Sequence, residues 1–115
     1  MKRFFLSFRF AFEGFICAFY RERNLKLHLC AALLVTIIGF IARLSLLEWM
    51  ILTLTIGGVI VTELLNTAIE RTVDLVSEEH HPLAKQAKDI AASACLLSAL
   101  VSIIIGILLF VPKVL

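Results

Sequence analysis

Three common ways of handling a nucleotide or an ester are missing from these 115 residues: there is no GxxxxGK[ST] loop, no HRD or DFG element and no GxSxG elbow. Their absence excludes P-loop, protein-kinase and nucleophile-elbow architectures, so any nucleotide chemistry must be built differently. Cysteine is scarce and unpaired. Cys17, Cys30 and Cys95 are odd in number and form no CxxC, so they read as small apolar packing residues rather than a redox or metal set. His28, His80 and His81 show neither HxxxH nor HxxE spacing, which argues against a zinc site. There is no internal repeat, low-complexity tract or linker, and no cleavable leader is expected, because charges interrupt residues 2–23. A net charge of only +2 favours contact with an anionic membrane surface over nucleic acid.

What is abundant is apolar side chain, 61% of the sequence, more than a soluble chain of this length can bury. It is concentrated in residues 25–41, 49–62 and 90–111. Only the last run alone reaches the roughly 20 residues needed to cross about 30 Å of hydrocarbon. The first two become spans with help from their flanks, Arg43 snorkelling at one end and a polar face turned inward at the other. The expected fold is therefore an all-α membrane protein in one domain, residues 1–115, with spans at about 25–42, 48–70 and 90–111. Ahead of them, residues 2–23 carry Phe4, Phe5, Phe8, Phe12, Phe15, Ile16 and Phe19 on one stripe. Arg3, Arg9, Glu13 and Arg21 lie off it, as in an amphipathic helix lying at the membrane surface or packed on the other helices.

Gly39 is tolerated in the first span as it would be in lipid, and residues 43–48 form a short turn that makes the first two spans a hairpin. Gly57 and Gly58 could admit another helix, as could the small residues Ala91, Ala92, Ser93, Ala94, Ser98 and Ala99. The link between the second and third spans holds Arg71, Asp74, Glu78, Glu79, His80, His81, Lys85 and Lys88. Pro82 places a turn at 80–82 and a new helix just after it. With the N-terminus and this link in the cytoplasm, nine of the eleven basic residues lie inside and the C-terminus lies outside, as the positive-inside rule prefers.

The unusual feature is a set of polar residues where the second span ends: Glu63, Asn66, Glu70 and Asp74. Steps of three, four and four keep them on one helical face, a ladder about 16 Å long running from the hydrocarbon toward water. An acid near the hydrocarbon costs roughly 2.5 to 3.5 kcal/mol on insertion scales, so it usually marks a pathway, relay or reaction site. Two acids a turn or two apart can divide labour, the drier one accepting a proton and the wetter one holding a cation. Lys88 and Asp89 could return to the same rim. A ladder that only pairs with basic residues of the first helix is the structural alternative, and Glu22, between Arg21 and Arg23, alone reads as a surface charge.

The blocks at 63–70 (ELLNTAIE), 73–74 (VD), 81–85 (HPLAK) and 87–89 (AKD), with RERN at 21–24, resemble the small integral-membrane lipid kinases of bacteria, the diacylglycerol and undecaprenol kinase family. The resemblance covers nearly the whole chain, and HPLAK, EWM at 48–50 and the Pro112-Lys113 ending are most similar to the undecaprenol kinase branch. It implies a homotrimer with sites between subunits, ATP as donor, Mg2+ as cofactor and a lipid alcohol as acceptor. Glu63 would then be the general base, with Asn66 orienting the reacting groups and Glu22 and Glu70 holding magnesium. Nucleotide contacts would come from Arg3, Phe10, Glu22, Glu70, Asp74, Glu79, His80, His81, Lys88 and Asp89, and lipid contacts from Arg3 and Glu63. Phe10 stands where some relatives have tyrosine, so stacking survives there without the hydroxyl. The expected reaction is phosphorylation of undecaprenol, with diacylglycerol as the alternative acceptor. A non-enzymatic scaffold or ion-conducting oligomer is the rival class.

Overall fold

The breaks between helices each have a local cause in the computed structural model, which describes residues 1–77 and 79–115. Helix α1 (Lys2–Arg21) and helix α2 (Arg23–Ala42) are separated only by Glu22, whose extended backbone (φ −109°, ψ 113°) ends one helix and opens the next. Arg43 in the left-handed region (φ 56°) closes α2. Helix α3 (Leu46–Val76) then starts from a reciprocal cap. The Glu48 amide donates to Ser45 Oγ at 3.2 Å, and the Ser45 amide donates to Glu48 Oε1 at 3.1 Å. Helix α4 (Pro82–Val114) has proline in its first turn and His81 as its cap, with His81 Nδ1 accepting from the Leu83 amide at 3.1 Å.

The helices reach beyond the expected spans. Helix α3 runs past residue 70 to Val76, since residues 70–76 contain no glycine or proline to break it. Helix α4 starts at Pro82, next to the expected turn at 80–82, so the polar link between the two helices spans 77–81, with Glu78 outside the described residues. At about 1.5 Å per residue α3 and α4 are about 46 and 50 Å long, well beyond the hydrocarbon thickness, whereas α2 at about 30 Å just matches it.

α4 lies along α3, α2 packs on α3 more lightly, and α1 touches α2 and α3 through its second half, where Ala18 is buried. The tightest cluster, Leu44, Leu52 and Leu109 with Trp49 and Phe110 against it, sits at the end away from the acids. There Lys113 Nζ also reaches Glu48 Oε1 at 3.1 Å. Gly39 is more than tolerated, because it sits where a side chain would press on its neighbours. A Cβ at this position would meet Trp49 at 2.8 Å and Leu44 at 3.0 Å, whereas Gly57 and Gly58 face open space within the chain.

Most large apolar side chains point outward, among them Leu33, Phe40, Leu54, Leu96 and Leu108. Among the described residues three helices are long and apolar enough to cross a membrane, and little of each is covered by protein. In lipid such faces are already solvated, so helix association rests on packing and hydrogen bonds rather than on hydrophobic burial. The protein is a multi-pass membrane protein. Phe4, Phe5, Phe8 and Phe12 of α1 are also exposed. Cys17 and Cys30 face outward too, so only Cys95 fits the packing role read from the sequence.

Candidate active site

Glu63 is the most deeply placed acid, with 6% of its surface exposed midway along α3. Its Oε1 lies 3.1 Å from Nε2 of His28, which comes from the second turn of α2. Beside it, Thr67 Oγ1 donates to the Glu63 backbone carbonyl at 3.0 Å, a bond within the helix that leaves the carboxylate free. Cys95 of α4 brings its thiol to 3.8 Å from the Thr62 carbonyl, next to the same carboxylate. On the membrane side of this cluster is an apolar crevice of about 110 Å³ between α2 and α3, lined by His28, Ala32, Val35, Ile56 and Val59. His28 is thus the boundary between the buried acid and an oily cavity.

One turn further along α3, Asn66 Nδ2 donates to Glu70 Oε1 at 3.4 Å. Asn66 Oδ1 is buried with no hydrogen-bond partner. Glu22, at the joint between α1 and α2, lines a cleft of about 550 Å³ with Glu70, Asp74, Arg21 and Arg71. The structure therefore gathers Glu22, Glu70 and Asp74, which lie some 50 residues apart in sequence, around one polar opening. Among the described residues no three His, Cys, Asp or Glu side chains are close enough to hold a metal by themselves.

Beyond the ladder, Lys88 of α4 pairs with Asp74 of α3, and this contact pushes the lysine ammonium's pKa above its usual range, so it stays charged. Asp89 is held by Lys85 of its own helix at 2.6 Å. Asp74, Glu79, His80, His81, Lys88 and Asp89 line a second cleft of about 610 Å³ where α3 ends and α4 begins. His81 spends Nδ1 on the helix cap, which leaves Nε2 for any other partner. Arg3 and Phe10 are exposed on α1 and line neither cleft within a single chain.

The arrangement has a dry end and a wet end on one helix. At the dry end a carboxylate touches an imidazole that lines a small apolar opening. At the wet end carboxylates and an ammonium surround polar clefts. His28 is the functional candidate that spacing rules missed, since they search for metal pairs. The available signal was different: His28 lies deeper than Lys26 in the otherwise apolar run 25–41, and an ionisable residue inside a span is rare.

Comparison with known proteins places the chain in a family. The chain is 53% identical over 113 residues to an undecaprenol kinase of Bacillus subtilis, covering 98% of this chain and 92% of that protein. It is 40% identical over 111 residues to a diacylglycerol kinase of Synechocystis, covering 96% of this chain and 63% of that longer relative. A diacylglycerol kinase of Helicobacter pylori is 36% identical over 84% of this chain and 75% of its own length. The family described as prokaryotic diacylglycerol kinase matches residues 9–110. With a dry acid, a polar rim and nearly its whole length matched, the chain belongs to the prokaryotic diacylglycerol kinase family.

Proposed function

We propose that this protein transfers the γ-phosphoryl group of ATP to the hydroxyl of a membrane lipid alcohol, undecaprenol, at the cytoplasmic membrane face. The observation that carries this reading is the buried Glu63 carboxylate against His28, which lines an apolar crevice, with Asn66 and Glu70 following Glu63 toward water. The acceptor's tail lies in hydrocarbon and its hydroxyl reaches Glu63. Glu63 takes the hydroxyl proton as the lipid oxygen bonds to the γ-phosphorus and the bond to the bridging oxygen of ADP breaks. Phosphoryl transfer needs positioning and charge neutralisation more than covalent help, so a few charged groups suffice.

Glu22 and Glu70, which line one polar cleft, offer carboxylate oxygens of the kind Mg2+ takes, and Asn66, hydrogen-bonded to Glu70, would orient the reacting groups. The two acids would hold magnesium, whose chemistry there is to neutralise the phosphate oxygens. Two carboxylates suffice because magnesium usually keeps waters and takes further ligands from substrate phosphates. Lys88 and Asp74 shape the nucleotide rim with Glu79, His80, His81 and Asp89, and Arg3 and Phe10 reach nucleotide on a neighbouring copy. The assembly is a homotrimer. Supporting it are the outward-facing Gly58, Ala94 and Ser98 along an apolar groove between α3 and α4. The N-terminus is cytoplasmic and the C-terminus outside, by the basic-residue count. α1 rests at the membrane surface on its phenylalanine stripe.

Labelled ATP, magnesium and either undecaprenol or diacylglycerol in mixed micelles test the reading. Faster label transfer to undecaprenol is expected. Preferential labelling of diacylglycerol would reassign the acceptor, and no lipid product from either would leave the scaffold or ion-conducting class standing.

A further inference from the structure

We infer that His28 is a positioning residue for the base: its Nε2–H holds one oxygen of Glu63 so that the other faces the hydroxyl arriving from the crevice. The inference rests on the lipid-kinase reading and adds a residue to it. Three observations converge. His28 Nε2 is 3.1 Å from Glu63 Oε1, a hydrogen-bonding distance. His28 itself lines the apolar crevice, so it stands where the acceptor must pass. The neighbouring polar groups on α3 are engaged elsewhere, Asn66 with Glu70 and Thr67 with a backbone carbonyl.

A buried carboxylate without a donor would turn toward whatever polar group was nearest, and its productive geometry would be lost. Neutral imidazole fits the task because it donates one hydrogen bond without adding a full positive charge. A lysine or arginine at the same distance would favour the ionised carboxylate so strongly that it would become a poorer base. Cys95 on α4 is the other titratable side chain beside Glu63 and its thiol also contacts the carboxylate, but a thiol is a weak donor and this one is shared with the Thr62 carbonyl at 3.8 Å. His28 also reaches the acid from a different helix, so the contact ties α2 to α3 at the depth of the reaction.

The test compares His28→Leu with His28→Gln in the full-length protein. Glutamine places a neutral N–H where Nε2 stood and leucine does not. Misplacing a reacting group by about 1 Å costs on the order of 100-fold, so His28→Leu should lower kcat by about 30- to 100-fold. The KM for ATP should stay within about twofold, because the polar clefts do not include position 28. His28→Gln should recover to within about fivefold of the wild type, and adding His28→Leu to Glu63→Gln should cost almost nothing more. A His28→Leu protein within about threefold of the wild type, or a glutamine variant as impaired as the leucine one, would overturn the inference. Should the leucine variant fail to assemble, nitrogen NMR of the labelled histidine in the wild-type protein decides instead. Protonated Nε2 supports the contact and unprotonated Nε2 overturns it. That readout needs no turnover, so absence of lipid product from the wild type would sink the kinase reading without being mistaken for failure of this one.

Discussion

Replacing Glu63 by glutamine isolates the base from everything else at the site. The amide has nearly the shape of the carboxylate, so the space around a residue only 6% exposed stays filled. It can still accept from His28 Nε2, which keeps the α2 to α3 contact. Removing a buried charge also removes its desolvation cost, so the variant should be no less stable than the wild type. What is lost is the ability to take a proton. General-base catalysis contributes about 100- to 10,000-fold, which at about 1.4 kcal/mol per factor of ten raises the barrier by about 3 to 5.5 kcal/mol. The measurement is initial-rate label transfer from ATP to undecaprenol, alongside thermal unfolding and size-exclusion in the same detergent. Turnover within about threefold of the wild type, with unchanged assembly, would refute the assignment of Glu63 as base.

Glu70→Gln should raise the magnesium concentration for half-maximal rate by about tenfold, since it removes one charged oxygen ligand from the proposed set. An unchanged magnesium titration would count against that set. Lys88→Ala should raise the KM for ATP by about tenfold while leaving the unfolding temperature nearly constant, because an exposed ion pair contributes little to stability. A rise in KM for the lipid alone would place Lys88 wrongly. Gly39→Ala should destabilise the α2 to α3 hairpin by about 1 to 3 kcal/mol, since its methyl group would press on the Trp49 ring. Adding Trp49→Phe should recover part of the loss, and equal stability of the single variant and the wild type in denaturant titration would show that the ring can move aside.

Much of this architecture was legible before any coordinates. Apolar runs located three crossing helices because the bilayer imposes a length, and Glu63, Asn66, Glu70 and Asp74 declared a shared face because helical periodicity is strict. The helix ends were less legible. Periodicity in apolar residues fades once a helix leaves the membrane, yet backbone hydrogen bonding continues, so α3 ran on to Val76, whereas the start of α4 was announced by Pro82 itself. Contacts between helices were the least legible. Nothing local to His28 announces Glu63, 35 positions away, and nothing local to Gly39 announces the indole of Trp49. Lys88 and Asp89 were foreseen as a rim pair, but only Lys88 crosses to α3, because Lys85 sits one turn from Asp89 on the same helix and engages it there.

The uninterrupted course of α3 bears on how such a protein can diversify. Side chains 63, 66 and 70 ride on one rod, so the distance separating the oil-facing reactant from the water-facing one is dictated by helical pitch and not by loop conformation. On the proposed reading, the walls that would receive the tail are shared between α3, at Ile56 and Val59, and α2, at Ala32 and Val35, and the pair on α2 stands off the rod. That pair can be recut for a longer, shorter or branched chain while the gauge on the rod remains untouched.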